Sequence, residues 1–459
     1  MAMVVKNNMS AINTLNTLNT NSNALSKSLA KVSSGMKING AADDASGYAI
    51  SERMRVQIRG LDQANANTQN GSSMMKTAEG AVSSTVDILK TLKEKVISAA
   101  NDDKTDADRA AIQKELDQSI DQINDNANIT YNGKYLVDGS HNTSVIQTTT
   151  AMTNQMLNTS TKATTAFTDM TDRNGNRLNI QSLDTVTVSF VHQGVTYTTS
   201  FRAGATVKTD GTIDKATTHS MSSLLTLANA EFKAKAEGAF KGKELFSTTI
   251  QTSSYIGKDV AQDTVKTASG ENALTISSAF SGISGQVSGF TVSVSNTKGQ
   301  IQKSINAVLD NFDESIRAQN KSEDNQITLQ IGTKANQSIR VGLTDMRAEA
   351  LGLASSTGKT LQVGTQAQAN AAINVLDNAV QKALDQQTTI GAIQSRLEYT
   401  SSNLTTSSQN VQASESTIRD ADMAKEMTNY TKNNVLLQAA QSMLAQANQS
   451  SSSVLSLLQ

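Results

Sequence analysis

The chain has 459 residues, a formal net charge of −1, and no cysteine, proline or tryptophan. Without cysteine it cannot form disulfides or use a thiol nucleophile, and its balanced charge argues against nucleic-acid or anionic-membrane partners. No apolar run approaches the roughly 20 residues that span a bilayer, and the first residues lack the pattern of a secretory signal peptide, so we expect neither membrane insertion nor a cleaved signal peptide.

Residues 1–39 are predicted to form a first amphipathic helix that ends near Gly35. Its apolar residues recur every three or four positions, which is the spacing of a narrow apolar seam on a helix that packs against other helices. The residues of this N-terminal seam are Val5, Met9, Ile12, Leu15, Leu18, Leu25, Leu29 and Val32.

Two more helices are predicted before residue 141. The first covers about residues 45–100 and carries a mostly apolar column at seven-residue steps, from Met54 to Val96. The second begins at Thr105 or Asp106 and continues to about Asn128. Because only a short turn separates them, they are expected to form an antiparallel helical hairpin.

Residues 142–323 lose the long helical seams and indicate a separate α+β unit. Two alternating strands are predicted between 185 and 201, joined by a turn at Gln193 and Gly194. A helix is predicted at 221–239, and a second amphipathic helix at 301–316, where apolar residues recur at helical spacing.

Regular patterning returns at residue 327. A β-hairpin is predicted around Ala335 and Asn336, and a long helix from about Thr365. This helix carries an apolar column to Ile418, and the column changes register near 419–422. The residues of the C-terminal seam after that change are Met427, Leu437, Leu444, Val454 and Leu458. Because chain termini are normally polar and frayed, two apolar-striped termini are expected to pair with each other, with other copies, or both.

The predicted fold is therefore mainly α, a long antiparallel helical coiled-coil bundle built from both termini. Residues 1–43 and 420–459 are predicted to form an inner terminal helical domain, and residues 44–141 and 324–419 a helical rod domain with a β-hairpin. Residues 142–323 are predicted to be an inserted, surface-exposed α+β domain.

The sequence predicts no catalytic, metal-binding or cofactor-binding residues. His141, His192 and His219 are not spaced as metal ligands, and surface or loop positions are favoured for them. Two pairs of neighbouring carboxylates, 43–44 and 420/422, are interpreted as helix starts in preference to catalysis.

Several motifs at the two ends resemble those of bacterial flagellins. NGAADDASGYAISE at 39–52 resembles the family's N-terminal signature, and IRDADMAKE at 418–426 resembles a C-terminal one. Further matching segments are 58–65, 77–80, 345–352, 395–398 and 444–449. The resemblance covers roughly 1–140 and 325–459, whereas 142–323 matches no family pattern.

The resemblance implies a structural subunit that polymerises with itself into the flagellar filament for swimming motility, without catalysis or a cofactor. It also implies an extracellular location and export through the flagellar type III apparatus with an export chaperone. Hook-associated junction and cap proteins are implied as further partners. A hook–filament junction protein is the alternative, and a flagellin with an enzymatic insert and a chemoreceptor-like signalling rod are less favoured.

Flagellins are recognised by host Toll-like receptor 5 through the first rod helix and its neighbour. The candidate receptor-facing residues at the matching positions are Lys90, Thr91, Lys93, Glu94, Lys95 and Glu115. Strong agonists of the family carry Arg at the position of Thr91 and Leu at that of Lys95, so recognition is expected to be weakened but present. A merely solvated lysine face is an equal interpretation.

Overall fold

The computed structural model describes residues 8–204, 206–207, 213–214 and 218–457. Val5 and Leu458 of the predicted seams lie outside the described residues, as does the side chain of Val454. About half of the chain is helical, with long helices toward both ends and a β-rich middle. It divides into two compact units.

The terminal unit comprises the described residues within 1–69, 330–338 and 398–459. It contains helix α1 (Met9–Ser34), the first part of α2 (Ala45–Ala99), the last part of α6 (Gln366–Arg419) and helix α7 (Met423–Leu457). Helix α1 ends at Gly35, which has a positive φ of 71° and whose N–H bonds the Lys31 carbonyl. Glycine tolerates this left-handed conformation, which is common just after the end of a helix. The observed end at Ser34 confirms the predicted end of the first helix near Gly35.

The central unit comprises residues 70–329 and 339–397. Its helical part contains the remainder of α2 and α6 together with α3 (Asp106–Ala127). Helix α3 begins with a capping box, in which Thr105 accepts from the Asp108 N–H and Asp108 accepts from the Thr105 N–H. Buried side chains at seven-residue steps confirm the predicted columns of this unit, and they include Met75, Val82, Leu89, Val96, Leu376, Ala383, Ile390 and Leu397.

Short strands and two helices make up the described middle of the chain. These are β1 (Thr130–Tyr131), β2 (Lys134–Tyr135), β3 (Thr149–Asn154), β4 (Thr185–His192), β5 (Val195–Arg202), β6 (Thr206–Val207), β7 (Ile213–Asp214), α4 (Met221–Lys235), β8 (Gln251–Ser253), β9 (Tyr255–Lys258), β10 (Thr264–Lys266), β11 (Ala273–Ser281), β12 (Val287–Ser295), α5 (Lys303–Leu309), β13 (Phe312–Ile316), β14 (Ile327–Gln330) and β15 (Ser338–Val341).

Two larger sheets organise the insert. One has the strand order β13-β3-β11-β8 and the other β12-β4-β5. The predicted pair of strands around Gln193 and Gly194 is confirmed as antiparallel β4 and β5. Aromatic rings fill the core between these elements, with Phe190 4.9 Å from Phe246 and 5.3 Å from Tyr197 between ring centroids.

The prediction of an amphipathic helix at 301–316 is wrong in its second half. Helix α5 ends at Leu309, and Phe312–Ile316 is strand β13, paired antiparallel with β3. Phe312 and Ile316 are four residues apart, which is the spacing of one helix face. In the strand a register shift between Glu314 and Ile316 separates them, so Phe312 packs against the core that contains Met152, whereas Ile316 clusters with Ala151 and Ile256. The pairing with β3 decides between helix and strand, because it gives the backbone of this segment its hydrogen bonds.

The predicted surface or loop position is also wrong for His192. It lies at the end of β4 and is only 3% exposed. Its Nδ1 is 3.0 Å from the Gln286 carbonyl oxygen, and its ring contacts those of Phe232 and Phe240 edge-on. Burial lowers the pKa of His192 to about 4, so the imidazole is a neutral core residue at physiological pH.

Candidate assembly surface

Helices α1 and α7 lie side by side in opposite directions. The side-chain amide of Asn8 donates to the Ala447 carbonyl at 3.1 Å, and that of Asn21 donates to the Leu436 carbonyl at 3.3 Å. The Asn433 amide donates to the Ser28 hydroxyl at 3.1 Å. These polar contacts fix the register of the two helices along their length.

The predicted seam residues divide between two faces of this helix pair. Leu18, Leu25 and Val32 of α1 are partly buried, and Ser28 between them is buried. On α7 the partly buried seam residues are Leu437 and Leu444, which flank the buried Ala440. These residues lie on the faces that α1 and α7 turn toward each other.

The other seam residues are solvent-exposed in the single chain. Met9 is 61% exposed, Leu29 51% and Met427 46%, and both Ile12 and Leu15 are 45% exposed. Further exposed apolar side chains on α7 are Met423, Val435, Leu436 and Met443. We call the exposed apolar residues of α1 and α7 together the outer apolar surface. Large apolar side chains left exposed in number on two neighbouring helices are a candidate interaction site.

Two backbone hydrogen bonds join the segment after α1 to the end of α6. The Lys37 N–H donates to the Arg419 carbonyl at 2.7 Å, and the Ala421 N–H donates to the Gly35 carbonyl at 3.0 Å. Helix α6 ends at Arg419 and α7 begins at Met423, so the predicted register change coincides with a break between helices. We call residues 35–38 and 419–422 the elbow.

Arg419 holds the elbow through its side chain. The residue is 6% exposed, and its guanidinium lies 2.6 Å from a Glu52 carboxylate oxygen and 5.5 Å from the centre of the Tyr48 ring. It also donates to the Met36 sulfur at 3.1 Å. The hydrogen bond and charge of Arg419 lower the pKa of Glu52, so this carboxyl stays ionised near neutral pH.

We expect Arg419→Gln to loosen the elbow. Without the guanidinium, the amides of Lys37 and Ala421 should exchange at least about tenfold faster, because local opening no longer has to break a charged contact. Hydrogen exchange read by mass spectrometry measures this. Arg55→Gln is the matched control, since Arg55 also contacts Glu52, at 3.4 Å, but is 41% exposed. Equal exchange in the two variants would contradict a holding role for Arg419.

One carboxylate of each pair interpreted as a helix start acts as a cap. Asp44 accepts from the backbone N–H groups of Ser46 and Gly47, each at 3.0 Å. Asp422 accepts from those of Ala424 and Lys425 at 3.0 and 3.2 Å. Both therefore satisfy donors at the first turn of a helix.

The candidate receptor-facing residues lie on α2 and α3 in the central unit. Lys90 is 3.2 Å from Asp87, Lys95 is 3.1 Å from Glu115, and Lys93 contacts Asp377. Thr91 is exposed and donates its hydroxyl to the Asp87 carbonyl at 3.0 Å, and Glu94 is exposed. All three lysines thus have a carboxylate neighbour within the same chain.

Within the described part of the chain, no helix has the length and apolar character to cross a bilayer. The same residues contain no group of three or more His, Asp or Glu side chains that could hold a metal ion.

Two family models match the chain. The model of the bacterial flagellin N-terminal helical region matches residues 5–142, and that of the C-terminal helical region matches 373–458. A flagellin of Clostridium tyrobutyricum is 34% identical over 448 residues, covering 97% of this chain and 99% of the relative. The chain belongs to the bacterial flagellin family.

Other flagellins align with similar completeness. One from Bacillus subtilis (strain 168) is 30% identical over 480 residues, covering 99% of this chain and 100% of the relative. Among solved structures, the flagellar junction protein FlgL from Legionella pneumophila has a TM-score of 0.31 at 15% identity, covering 81% of this chain and 100% of that one. FliC from Burkholderia pseudomallei has a TM-score of 0.25 at 17% identity, covering 71% and 99%.

Proposed function

We propose that this flagellin-family chain is a structural subunit that polymerises with itself into the extracellular bacterial flagellar filament, and that it has no catalytic activity. The observation that carries the proposal is the outer apolar surface. Residues such as Ile12 and Leu436 stay exposed on helices whose opposite faces already pack together within the chain. Burying each such side chain against a neighbouring copy stabilises the polymer by about 1.5–3 kcal/mol.

The proposed packing is a coiled-coil assembly of the terminal helices. In each chain α1 pairs with α7 through one face, and the outer faces pack against the corresponding helices of other copies. The exposed members of the predicted seams would then make contacts between subunits, and the partly buried members contacts within one. Under this proposal, 1–43 with 420–459 form the filament core, 44–141 with 324–419 the rod, and 142–323 the outer surface.

A hook–filament junction protein is the second candidate. Such a protein shares terminal helices of this kind, but the close relatives over nearly the full chain are named flagellins. We therefore favour a filament subunit that contacts junction and cap proteins at the filament ends. Export through the type III apparatus, aided by an export chaperone and without a cleaved signal peptide, belongs to the same proposal.

Two deletions test the proposed function. Removing residues 142–323 should still permit filaments, because the ends of this segment meet: Val145 and Ser322 exchange two backbone hydrogen bonds of 3.0 Å. A short glycine–serine linker can therefore replace it. Removing 437–459 should abolish filaments, because much of α7 is lost.

Electron microscopy of purified protein under polymerising conditions shows whether each deletion variant forms filaments. Secreted protein of each variant, measured in the culture medium, shows whether export rather than assembly has failed. Normal filaments from the chain without 437–459 would overturn the assembly role of α7.

We also propose that Toll-like receptor 5 recognises this chain weakly through α2 and α3. Lys90, Lys93 and Lys95 each contact a carboxylate of the same chain, which partly neutralises the positive charge that a receptor would meet. Thr91 is exposed, so Thr91→Arg can present a guanidinium there without disturbing the core.

Thr91→Arg is expected to increase potency in a receptor reporter assay by at least about tenfold, the effect of one interface arginine. Asn70→Arg is the matched control, because it adds the same charge at another exposed position of α2. Full potency of the unmodified chain, or equal gains in both variants, would contradict weakened recognition through this surface.

A further inference from the structure

The methionine side chains of this chain are distributed unevenly. Those of the central unit are mostly buried, and the buried ones are Met74, Met75, Met152, Met170, Met221 and Met346. Five described methionines are exposed, and four of them lie on α1 and α7: Met9 at 61%, Met423 at 43%, Met427 at 46% and Met443 at 63%. The fifth is Met156, which is 45% exposed in the insert. Methionine thus supplies much of the outer apolar surface.

An exposed thioether reacts with peroxides. The sulfur lone pair attacks one oxygen of hydrogen peroxide, the O–O bond breaks, an S=O bond forms and water leaves after proton transfer. The sulfur loses two electrons and the peroxide gains them, so no further reactant is required. The product is polar, whereas the thioether was an adaptable apolar side chain.

We propose that Met9, Met423, Met427 and Met443 form an oxidant-sensitive modification site, and that their conversion to sulfoxides blocks polymerisation. This inference rests on the proposed assembly function. In the free chain the four side chains are in water, so a sulfoxide there is solvated. In a subunit interface the S=O oxygen would be buried without a matching donor, which is unfavourable. Once the polymer has formed, the same contacts shield the sulfurs from peroxide.

The first test compares polymerisation of the full chain before and after hydrogen peroxide treatment. Treatment should raise the concentration of unpolymerised protein in a sedimentation assay by at least about tenfold. A variant with leucine at all four positions, M9L/M423L/M427L/M443L, should resist, because leucine has a similar volume and cannot be oxidised. Met156→Leu is the matched control and should remain as sensitive as the parent.

Oxidative footprinting of the unsubstituted chain keeps the test decisive if the fourfold variant fails to assemble. Peptide mass spectrometry should find the four methionines oxidised rapidly in free chains and slowly in filaments. Met156 should react at similar rates in both.

Equal polymerisation of treated and untreated chains, or equal oxidation of the four methionines in free chains and filaments, would overturn the inference. Failure of untreated chains to polymerise would instead reject the proposed function.

Discussion

Replacing Leu436 by glutamate is expected to raise the critical concentration for polymerisation by about a hundredfold or more. Leu436 is 41% exposed on α7, and its backbone carbonyl accepts a hydrogen bond from Asn21 of α1. Glutamate is a good helix former, so the free chain should keep its helices. In the polymer, however, the apolar contact is lost and a carboxylate must leave water, which is costly without a partner.

The matched control for this prediction is Gln438→Glu, which places the same charge two residues away on an exposed polar position. Far-UV circular dichroism of the free chain and sedimentation after seeding give the two readouts. Leu437→Glu offers a contrast, because Leu437 lies on the inner face and its loss should disturb the α1–α7 pair itself. An unchanged critical concentration for Leu436→Glu would place the subunit interface elsewhere.

The helices of this chain could be predicted well from the sequence because local chemistry determines their ends. Gly35 supplies the left-handed residue that ends α1, and Thr105 with Asp108 supplies the capping box of α3. The seven-residue columns of α2 and α6 point to one buried face over many turns. Such signals require no knowledge of distant contacts.

The division of the terminal seams could not be predicted in the same way. Residues three and four positions apart occur both on the face of α1 that packs against α7 and on its exposed face, and both faces contain leucines. The inner face also includes Asn21 and Ser28, which a search for apolar residues passes over. Their partners on α7 are more than 400 residues away in sequence, so only the three-dimensional pairing distinguishes Leu25 from Leu29.

The insert was harder to predict for a related reason. Strand β13 lacks the regular apolar alternation that identifies a strand, because its register with β3 shifts between Glu314 and Ile316 and because a glutamate occupies its middle. Glu314 is nevertheless buried, with its side chain only 5% exposed. A buried carboxyl of this kind has consequences for stability that the sequence pattern does not reveal.

Burial raises the pKa of Glu314 to about 7, despite the opposing charges of Arg317 and Lys382. Its Oε2 lies 3.5 Å from Arg317 Nε, and its Oε1 has no hydrogen-bond partner among the described residues. Arg317 is shared with Asp385 at 2.8 Å. Because the native carboxyl binds its proton more tightly than the unfolded one, its stabilising contribution is present below the unfolded pKa and is lost as pH rises through about 7. The loss is on the order of 3 kcal/mol.

Lys382 does not offset this loss within the same pH window. Burial lowers its pKa to about 8, with Asp345 and Glu314 opposing that shift, and its ammonium donates to the Ala350 carbonyl at 2.7 Å. A lowered lysine pKa contributes stability at high pH, which is lost as pH falls through about 8. Below about pH 7 the lysine is charged in both the folded and unfolded states, so its contribution is nearly constant there.

Glu314→Gln should therefore remove the pH dependence due to this carboxyl. We expect a Tm close to that of the parent near about pH 5 and higher by several degrees near about pH 7.5, because the amide never ionises. Thermal unfolding followed by calorimetry across this range measures the difference. Glu323→Gln, at an exposed position nine residues away, should leave the parent profile unchanged. Parallel profiles for Glu314→Gln and the parent would mean that Glu314 does not take up a proton in the native state, and that Arg317 alone stabilises its charge.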